Sequence, residues 1–291
     1  TPSGSGPVCK PDSHGMISLV MMVRDAEATL ERCLASVFER AAPLADEAVI
    51  VYGGPSSDRT EALVDRLAER WPIRHVPLPT ELSSEVIDPG TGALLDYARV
   101  RNFAHEQARH PFHLWMDSDD VAPSPERVAH VTKKMLDREG PTDYVSLSQF
   151  VDALPQRIYA VFCDYHYKID PETDQVIQSQ RRERIIRWSD GFRWQGTIQE
   201  VIVPREGFYD ASRCAMLTNF WIEHYPDRSD SHKEDRNWKV LERLLPRAET
   251  EWRVAHYVGA HFAATGNQER ALHYLERAVQ LAGFGTDRLA S

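Results

Sequence analysis

Three carboxylate residues follow directly after an apolar segment that has the composition of a β-strand. The segment spans residues 112–116, and the carboxylates belong to Asp117, Asp119 and Asp120. A strand ends at the edge of its sheet, so these side chains are expected to project into a crevice, where a cation would offset their mutual repulsion. Oxygen ligands one residue apart suit a hard divalent ion such as Mg²⁺ or Mn²⁺. The alternative is a solvated acidic turn before the helix predicted from Pro125.

The composition is that of an ordinary globular protein, with 42% hydrophobic and 27% charged residues in a chain of 291. This length allows one large core or two modest cores. No apolar run approaches the roughly 20 residues of a membrane-spanning helix, and no signal peptide is visible. The formal net charge of −10 argues weakly against a protein that coats nucleic acid, although it leaves room for a local basic groove.

Residues 1–15 are rich in Gly, Ser and Pro without periodicity, so they are predicted to form a flexible tail. The cysteines are too scattered to form a C-x-x-C pair or a disulfide framework. They are Cys9, Cys33, Cys163 and Cys214. Such scattered thiols favour a reducing compartment, and the expected location is the cytoplasm.

The first part of the chain predicts alternating strands and helices. The predicted strands are residues 17–23, 48–52 and 73–76. Residues 26–40 form one predicted helix, and a second begins at Ser57 or Asp58 and ends before Pro72. This β-α-β-α-β order predicts an α/β fold with a parallel sheet, in which ligands bind at the carboxyl ends of the strands. Residues 77–92 are predicted to form a long loop at that edge.

The middle of the chain continues this pattern and then changes to shorter strands. Residues 95–109 and 125–137 are predicted helices on either side of the strand at residues 112–116. Further predicted strands extend the sheet, and they span residues 144–150, 157–162, 165–169, 184–188, 197–203 and 221–225.

The last part of the chain is predicted to be helical, over residues 231–245 and 251–281. Small residues such as Gly259 and Ala271 would let two antiparallel helices pack closely, in a pattern that resembles one tetratricopeptide (TPR) repeat. One repeat cannot bury its own face, so it is expected to dock on the preceding domain, on a second copy or on further repeats. The predicted division is therefore a tail (1–15), an α/β domain (16–228) and a helical segment (229–291).

Four sequence features occur in a characteristic order. A first strand ends in Val-Arg-Asp, a second runs into a Gly/Ser-Asp-x-Thr turn, a helix carries Arg101-Asn102, and a strand ends in D-x-D. In this order they resemble the family 2 glycosyltransferases of GT-A fold. The closer resemblance is to a subgroup with C-terminal TPR-like helices, which includes the peptide S-glycosyltransferase that modifies sublancin. The resemblance covers residues 17–281 and implies a Rossmann-like, mostly parallel sheet with helices on both faces.

The resemblance also implies roles for individual residues. A nucleotide pocket would contain Val23, Arg24, Asp25, Gly53, Arg101 and Asp117. Asp119 would bind Mn²⁺ or Mg²⁺ at the donor diphosphate, with His224 as a further metal or diphosphate ligand. Such an ion stabilises the charge that develops on a leaving nucleoside diphosphate. Glu200 lies in a segment similar to F-x-G-x-[VI]-H-E and would be the base for inverting displacement.

Two residues depart from the family pattern. The acid that commonly follows the second strand is replaced by Gly53, and the histidine before the candidate base is replaced by Gln199. The donor base is therefore expected either to differ from uracil or to be held by backbone groups, and residue 199 cannot titrate or bind metal as histidine does. Both departures also allow a different hypothesis, in which the chain is a non-catalytic TPR-type interaction module with a decayed nucleotide pocket.

Another hypothesis keeps the enzyme and makes a modified base in DNA the acceptor. Five arginines and two tryptophans between residues 181 and 194 could bind phosphates and stack an extruded base. The plainer interpretation is a solvated basic face, with some arginines facing the donor diphosphate. The predicted partners are a nucleotide-sugar donor and an acceptor that the sequence leaves open among peptide or protein, glycan, small molecule and DNA. A homodimer through the helical segment is also predicted.

Overall fold

A computed structural model describes residues 17–136, 147–197, 199–226 and 233–283. The strands are β1 Ile17–Val23, β2 Glu47–Tyr52, β3 Ile73–His75, β4 Phe112–Trp115, β5 Asp120–Val121, β6 Ala160–Ile169, β7 Val176–Arg187, β8 Arg193–Gln195, β9 Val201–Val203 and β10 Cys214–His224. The α-helices are α1 Leu30–Phe38, α2 Thr60–Ala68, α3 Thr80–Val86, α4 Tyr97–Glu106, α5 Pro125–Leu136, α6 Leu147–Asp152, α7 Lys233–Leu244, α8 Trp252–Ala264 and α9 Gln268–Leu281. Among the described helices, none is both long and apolar enough to cross a membrane.

The described residues group into two compact units. The first contains the described parts of residues 17–78, 101–193 and 202–226, and the second those of residues 79–100, 194–201 and 233–283. The division predicted between residues 228 and 229 stays a prediction, and the predicted tail at residues 1–15 lies outside the described residues.

The first unit is built on an eight-stranded sheet with the order β3-β2-β1-β4-β7-β6-β10-β5. Strands β3, β2, β1 and β4 are parallel, whereas β7 runs antiparallel to both β4 and β6. Strand β10 is parallel to β6, and the short β5 is antiparallel to β10 at the edge. The predicted α/β class with a Rossmann-like sheet and C-terminal helices is confirmed, although the sheet is more mixed than predicted.

The continuous apolar run in β1 is explained by burial on both faces. Ile17, Leu19 and Met21 pack in one core cluster with apolar residues of α1 and α2, and the intervening Val20 is also buried. On that second face, Ser18 donates a hydrogen bond to Glu47 Oε1 at 2.7 Å. The central strands therefore form a rigid platform whose carboxyl edge carries the predicted site.

Three element boundaries differ from the predictions, each for a local reason. Helix α1 begins at Leu30, because Ala26 N donates to Thr60 Oγ1 at 2.7 Å and ties the preceding turn to the next loop. The predicted loop at residues 77–92 contains helix α3. The strand predicted for residues 144–150 is wrong over its described part, which forms α6: Leu147 and Val151 are both buried, and their spacing of four residues is helical.

The later strands are longer or shorter than predicted. The predicted pieces 157–162 and 165–169 merge largely into the single strand β6, and β7 begins eight residues before the predicted start at 184. The N-terminal part of β7 is polar and largely exposed, so its pairing with β6 leaves no apolar pattern in the sequence. The strand predicted for residues 197–203 is present only as β9.

The second unit contains a helical core formed by α7, α8 and α9. Its apolar centre includes Leu241, Val258, Phe262 and Ala278. Helices α8 and α9 pack so closely that a Cβ atom added to Gly259 would lie 2.8 Å from Leu275 Cγ and 3.0 Å from its backbone nitrogen. The predicted close packing of two helices through small residues is confirmed.

Replacing Gly259 with alanine is expected to destabilise this helical core by roughly 1–3 kcal/mol, because the added methyl group overpacks the α8–α9 contact. Chemical denaturation of the purified variant measures the loss. Ala260→Ser changes an exposed position of the same helix and should stay within about 0.5 kcal/mol of the parent protein. An unchanged midpoint for Gly259→Ala would show that the helices can separate without cost.

Candidate metal and nucleotide site

The acidic turn between β4 and β5 is closed by its own residues. Asp120 N donates to Asp117 O at 3.0 Å, and Asp117 N donates to Asp120 Oδ2 at 3.0 Å. These two bonds direct the Asp120 side chain into the protein, where it is completely buried. The three neighbouring acids are therefore not equivalent in the folded chain.

Asp120 is held by a buried arginine and a tyrosine. Arg184 Nη1 lies 2.9 Å from Asp120 Oδ2, and Tyr165 donates its hydroxyl to Asp120 Oδ1 at 3.0 Å. The Arg184 guanidinium lies between the rings of Trp115 and Tyr165, 3.9 and 4.1 Å from their centres. Both carboxylate oxygens of Asp120 thus have protein partners, which makes Asp120 an anchor of the turn.

Asp119 lies next to His224, which ends β10. His224 Nδ1 is 3.5 Å from Asp119 Oδ1 and 3.5 Å from Asp120 Oδ1, yet this buried nitrogen makes no hydrogen bond to a described residue. Tyr225 N donates to Asp119 O at 2.8 Å and fixes the two segments together. Burial alone would lower the pKa of His224, but the carboxylates of Asp120 and Asp119 outweigh it and raise that pKa.

This group of side chains fits a hard divalent ion. The ligand atoms of Asp119, Asp120 and His224 all lie within 4.8 Å of one another. Carboxylate and imidazole are ligands that Mn²⁺ accepts, and Nδ1 of His224 faces both carboxylates. Both oxygens of Asp120 already accept hydrogen bonds and its side chain is fully buried, so Asp120 is suited to anchoring the turn rather than to binding an ion directly.

Asp117 is paired with Arg101 on α4. Arg101 Nη2 lies 2.6 Å from Asp117 Oδ1, and the Arg101 side chain is nearly buried. Burial alone would raise the pKa of Asp117, but Arg101 and Arg184 lower it to about 2. This contact between Arg101 and Asp117 connects α4 to the acidic turn.

The residues after β1 lie at the same edge of the sheet, because the β1–β4 register sets Val20 beside Trp115. Asp25 has a positive φ of 48°, and its Oδ1 accepts hydrogen bonds from Ser57 N at 2.6 Å and Ser57 Oγ at 2.9 Å. The Asp25 carboxylate thus fastens the loop after β1 to the loop after β2.

The other predicted pocket residues lie beside this fastening. Val23 is buried and pairs with Tyr52, and Gly53 N donates to Val23 O at 2.9 Å. Arg24 Nε lies 3.3 Å from Asp25 Oδ2. Their predicted contacts with a nucleotide stay predictions.

Glu200 lies in the second unit, directly before β9, and is half-buried. The preceding Gln199 has a positive φ of 52°, and its carbonyl oxygen accepts a hydrogen bond from Arg253. Ile198, within the segment that carried the family resemblance, lies outside the described residues. The role of Glu200 as a base stays a prediction.

Two buried ionic groups of the site were not predicted from the sequence. The first is the Arg184–Asp120 pair; its sequence signal is an arginine directly before the buried Ile185 and Ile186. The second is Glu223, which lies 2.9 Å from Arg127 Nη2 and accepts a hydrogen bond from Trp221 Nε1 at 3.0 Å. Glu223 precedes His224 and fastens the end of β10 to α5.

The arginine-rich segment is largely paired within the protein. Each of its five arginines lies within 4.0 Å of a carboxylate or carbonyl oxygen of a described residue. The pairs are Arg181 with Asp164, Arg182 with Glu183, Arg184 with Asp120, Arg187 with both Gln156 and Asp190, and Arg193 with Phe192. Trp188 is stacked on His105 with ring centres 4.5 Å apart. These contacts favour the plainer interpretation over a surface for DNA.

A buried pair of histidines connects α4 to β4. His105 Nδ1 and His113 Nδ1 are 2.9 Å apart, and His113 Nε2 is 3.1 Å from His110 O, where it can donate. Burial lowers the pKa of His113 to about 4. Burial, together with the neighbouring His113, also puts the pKa of His105 well below its usual value.

The free energy of unfolding is expected to fall by about 2 kcal/mol between pH 7 and pH 5 because of His113. The unfolded chain protonates this histidine near pH 6.5, whereas the folded chain does so only near pH 4, so acid favours the unfolded state. Urea titrations at both pH values measure the change. His113→Leu should weaken the pH dependence and His256→Gln, at an exposed position, should not. Equal pH dependence in His113→Leu and the parent protein would contradict the assignment.

No protein-family model and no curated protein matches the sequence. Among solved structures, the chain is similar to residues 1–349 of S. aureus TarS in complex with UDP-GlcNAc. The identity is 14%, the match covers 91% of this chain and 81% of that chain, and the TM-score is 0.48. It is also similar to glucosyl-3-phosphoglycerate synthase from Mycobacterium tuberculosis in complex with Mn²⁺, uridine diphosphate and glucosyl-3-phosphoglycerate. That identity is 16%, with 79% of this chain and 78% of that chain covered and a TM-score of 0.40.

Proposed function

We propose that this protein is a glycosyltransferase that moves a hexose or pentose from a nucleotide-sugar donor to an acceptor, with inversion at the sugar. The observation that carries the proposal is the group of Asp119, Asp120 and the largely buried His224, in which His224 Nδ1 lies 3.5 Å from the Asp119 carboxylate and all three ligand atoms lie within 4.8 Å of one another. This pair lies beside the acidic turn that follows β4, at the edge where parallel α/β sheets bind ligands. The ordered sequence motifs that resemble family 2 glycosyltransferases support the same function.

The chain supplies groups for each part of the donor. Asp119 and His224 would hold Mn²⁺ or Mg²⁺, which when bound would stabilise negative charge on the leaving diphosphate as a Lewis acid. Arg101 is held against Asp117; its positive charge would lie near the phosphates, and Asp117 would contact the ribose. Val23, Arg24, Asp25 and Gly53 complete the nucleotide pocket.

Glu200 is the proposed general base. A direct displacement requires the acceptor to lose a proton as it attacks the sugar, and a carboxylate can accept that proton. The half-buried position of Glu200 and the family-like segment around it support this role. The acceptor is a peptide or protein, a glycan or a small molecule, since the paired arginines disfavour DNA.

The proposal also covers the domain organisation of the chain, its dimerisation and its location in the cell. Residues 16–228 form the transferase domain and residues 229–291 a TPR-like segment, an arrangement that resembles the subgroup that includes the sublancin S-glycosyltransferase. The protein dimerises through this helical segment. The close contact at Gly259 supports a TPR-like hairpin. The protein works in the cytoplasm, as the scattered cysteines favour.

A thermal-shift screen of nucleoside diphosphates, each with and without Mn²⁺, tests the proposal. One diphosphate should raise the melting temperature only when Mn²⁺ is present, since ligand binding stabilises the folded state. The corresponding nucleotide sugar should then be hydrolysed slowly in a Mn²⁺-dependent manner. If no diphosphate stabilises the protein with Mn²⁺ and no donor is hydrolysed, the transferase proposal is wrong.

A further inference from the structure

Two compensating bulges interrupt the pairing of β6 with β7 near the candidate site. His166 pairs with Ser179 and Lys168 with Gln178, so Tyr167 is an extra residue on β6. The register returns at the next pair through an extra residue, Ile177, on β7. Both extra residues are exposed to solvent, Tyr167 by 45% and Ile177 by 56%. Bulges commonly redirect side chains next to functional sites.

The Tyr167 ring lies parallel to the imidazole of His224. The ring centres are 5.2 Å apart and the planes differ by 3°. The Tyr165 ring meets both of them edge-on, at 5.9 Å from Tyr167 and 6.0 Å from His224. One face of the imidazole is therefore covered. The His224 side chain is only 11% exposed, although Tyr167 beside it is exposed to solvent.

This stack is a contact that can orient the imidazole. In most metal sites the second ring nitrogen of a histidine ligand donates a hydrogen bond that sets the orientation of the ring. For Nδ1 of His224, the printed carboxylate contacts in the described part of the chain, Asp119 Oδ1 and Asp120 Oδ1, are both as long as 3.5 Å, so they constrain the ring only loosely. Offset aromatic stacking has a geometric preference of its own and can hold the plane in place of that bond.

We infer that Tyr167 is a positioning residue for the metal site: its ring holds the His224 imidazole so that Nδ1 stays directed at Asp119. This inference rests on the proposed function, in which Asp119 and His224 bind the ion. The hydroxyl group of Tyr167 takes no part, and the ring itself is what matters.

The test measures Mn²⁺ affinity by calorimetry on the protein without nucleotide. Tyr167→Leu removes the ring and is expected to weaken Mn²⁺ binding about tenfold, the lower end of the loss seen when a histidine ligand loses its orienting partner. Tyr167→Phe keeps the ring and should bind Mn²⁺ within about twofold of the parent protein. Ile177→Leu, at the paired bulge, is the matched control and should leave the affinity unchanged. Tyr167→Ile replaces the leucine variant if the latter does not fold.

A second readout does not depend on the ion. The ring protons of His224, assigned in NMR spectra by their loss in His224→Gln, should change in chemical shift in Tyr167→Leu, because the ring current of Tyr167 is gone. They should keep their position in Tyr167→Phe.

The outcomes separate the inference from the proposed function. If the parent protein binds Mn²⁺ but Tyr167→Leu binds it equally well, the inference is wrong and the proposed function stands. An equal loss in Tyr167→Phe and Tyr167→Leu also overturns it, because the hydroxyl would then be the important group. If the parent protein binds no Mn²⁺, the proposed metal site fails and the inference fails with it.

Discussion

Replacing Asp119 with asparagine is expected to lower Mn²⁺-dependent hydrolysis of the nucleotide sugar by at least about 100-fold. The substitution keeps the size of the side chain and removes the charge that faces His224 Nδ1 at 3.5 Å. With one carboxylate gone, the ion loses its strongest candidate ligand, so its affinity should fall together with the rate. Calorimetry with Mn²⁺ and a hydrolysis assay measure both quantities.

Asp164→Asn provides a matched control for charge. Asp164 is an exposed carboxylate on β6, next in sequence to Tyr165 and therefore on the opposite face of the strand. Its loss changes the net charge by the same amount and should leave Mn²⁺ binding and hydrolysis unchanged. If Asp119→Asn hydrolyses the donor as fast as Asp164→Asn does, Asp119 is not a metal ligand.

Breaking the Arg184–Asp120 pair from either side is expected to destabilise the protein by about 3–5 kcal/mol. The side chains are 1% and 0% exposed, so removing one partner leaves an uncompensated charge away from water. Arg184→Met and Asp120→Asn each do this, whereas the double variant removes both charges. The double variant should recover much of the loss, because a buried ion pair can often be replaced by uncharged residues at little net cost. Urea unfolding of the parent protein, the two single variants and the double variant measures the four free energies of unfolding.

An exposed pair serves as the comparison for this cycle. Arg66 lies 3.0 Å from Glu31 with side chains 63% and 45% exposed, and Arg66→Met should cost less than about 1 kcal/mol. If the double variant loses as much stability as the two single variants together, the two charges do not act as a pair. The double variant also separates Asp120 from the metal ligands: it should keep Mn²⁺ affinity within a few-fold of the parent protein, and a large loss would make Asp120 a ligand.

The sequence predicted the parallel part of the first unit well. Strands β1 and β2 are continuous apolar runs, and the acidic turn was expected directly after β4, where the structure has it. These features depend on composition over a few neighbouring residues. Helix α6 is a counterexample, since residues 144–150 alternate like a strand while the burial of Leu147 and Val151 selects a helix.

The family resemblance assigned Asp119 to the metal and Asp117 to the nucleotide, but the sequence did not predict the contacts that hold these acids or the burial of Asp120. Local spacing places Asp117, Asp119 and Asp120 together, and nothing in that spacing separates them. The tertiary structure pairs Asp120 with Arg184, 64 residues away, and pairs Asp117 with Arg101 on α4. It also brings His224 to Asp119 and stacks Tyr167 on that histidine.

The sequence by itself therefore determined the order of the first strands and helices and the kind of ligand that the carboxylates suit. Only the tertiary structure decided that Asp120 is the buried acid and that Asp119 lies beside His224, the second candidate metal ligand. The physical reason is that a buried charge is stable only beside an opposite charge, and that partner comes from β7, which pairs with β4 across a long stretch of sequence.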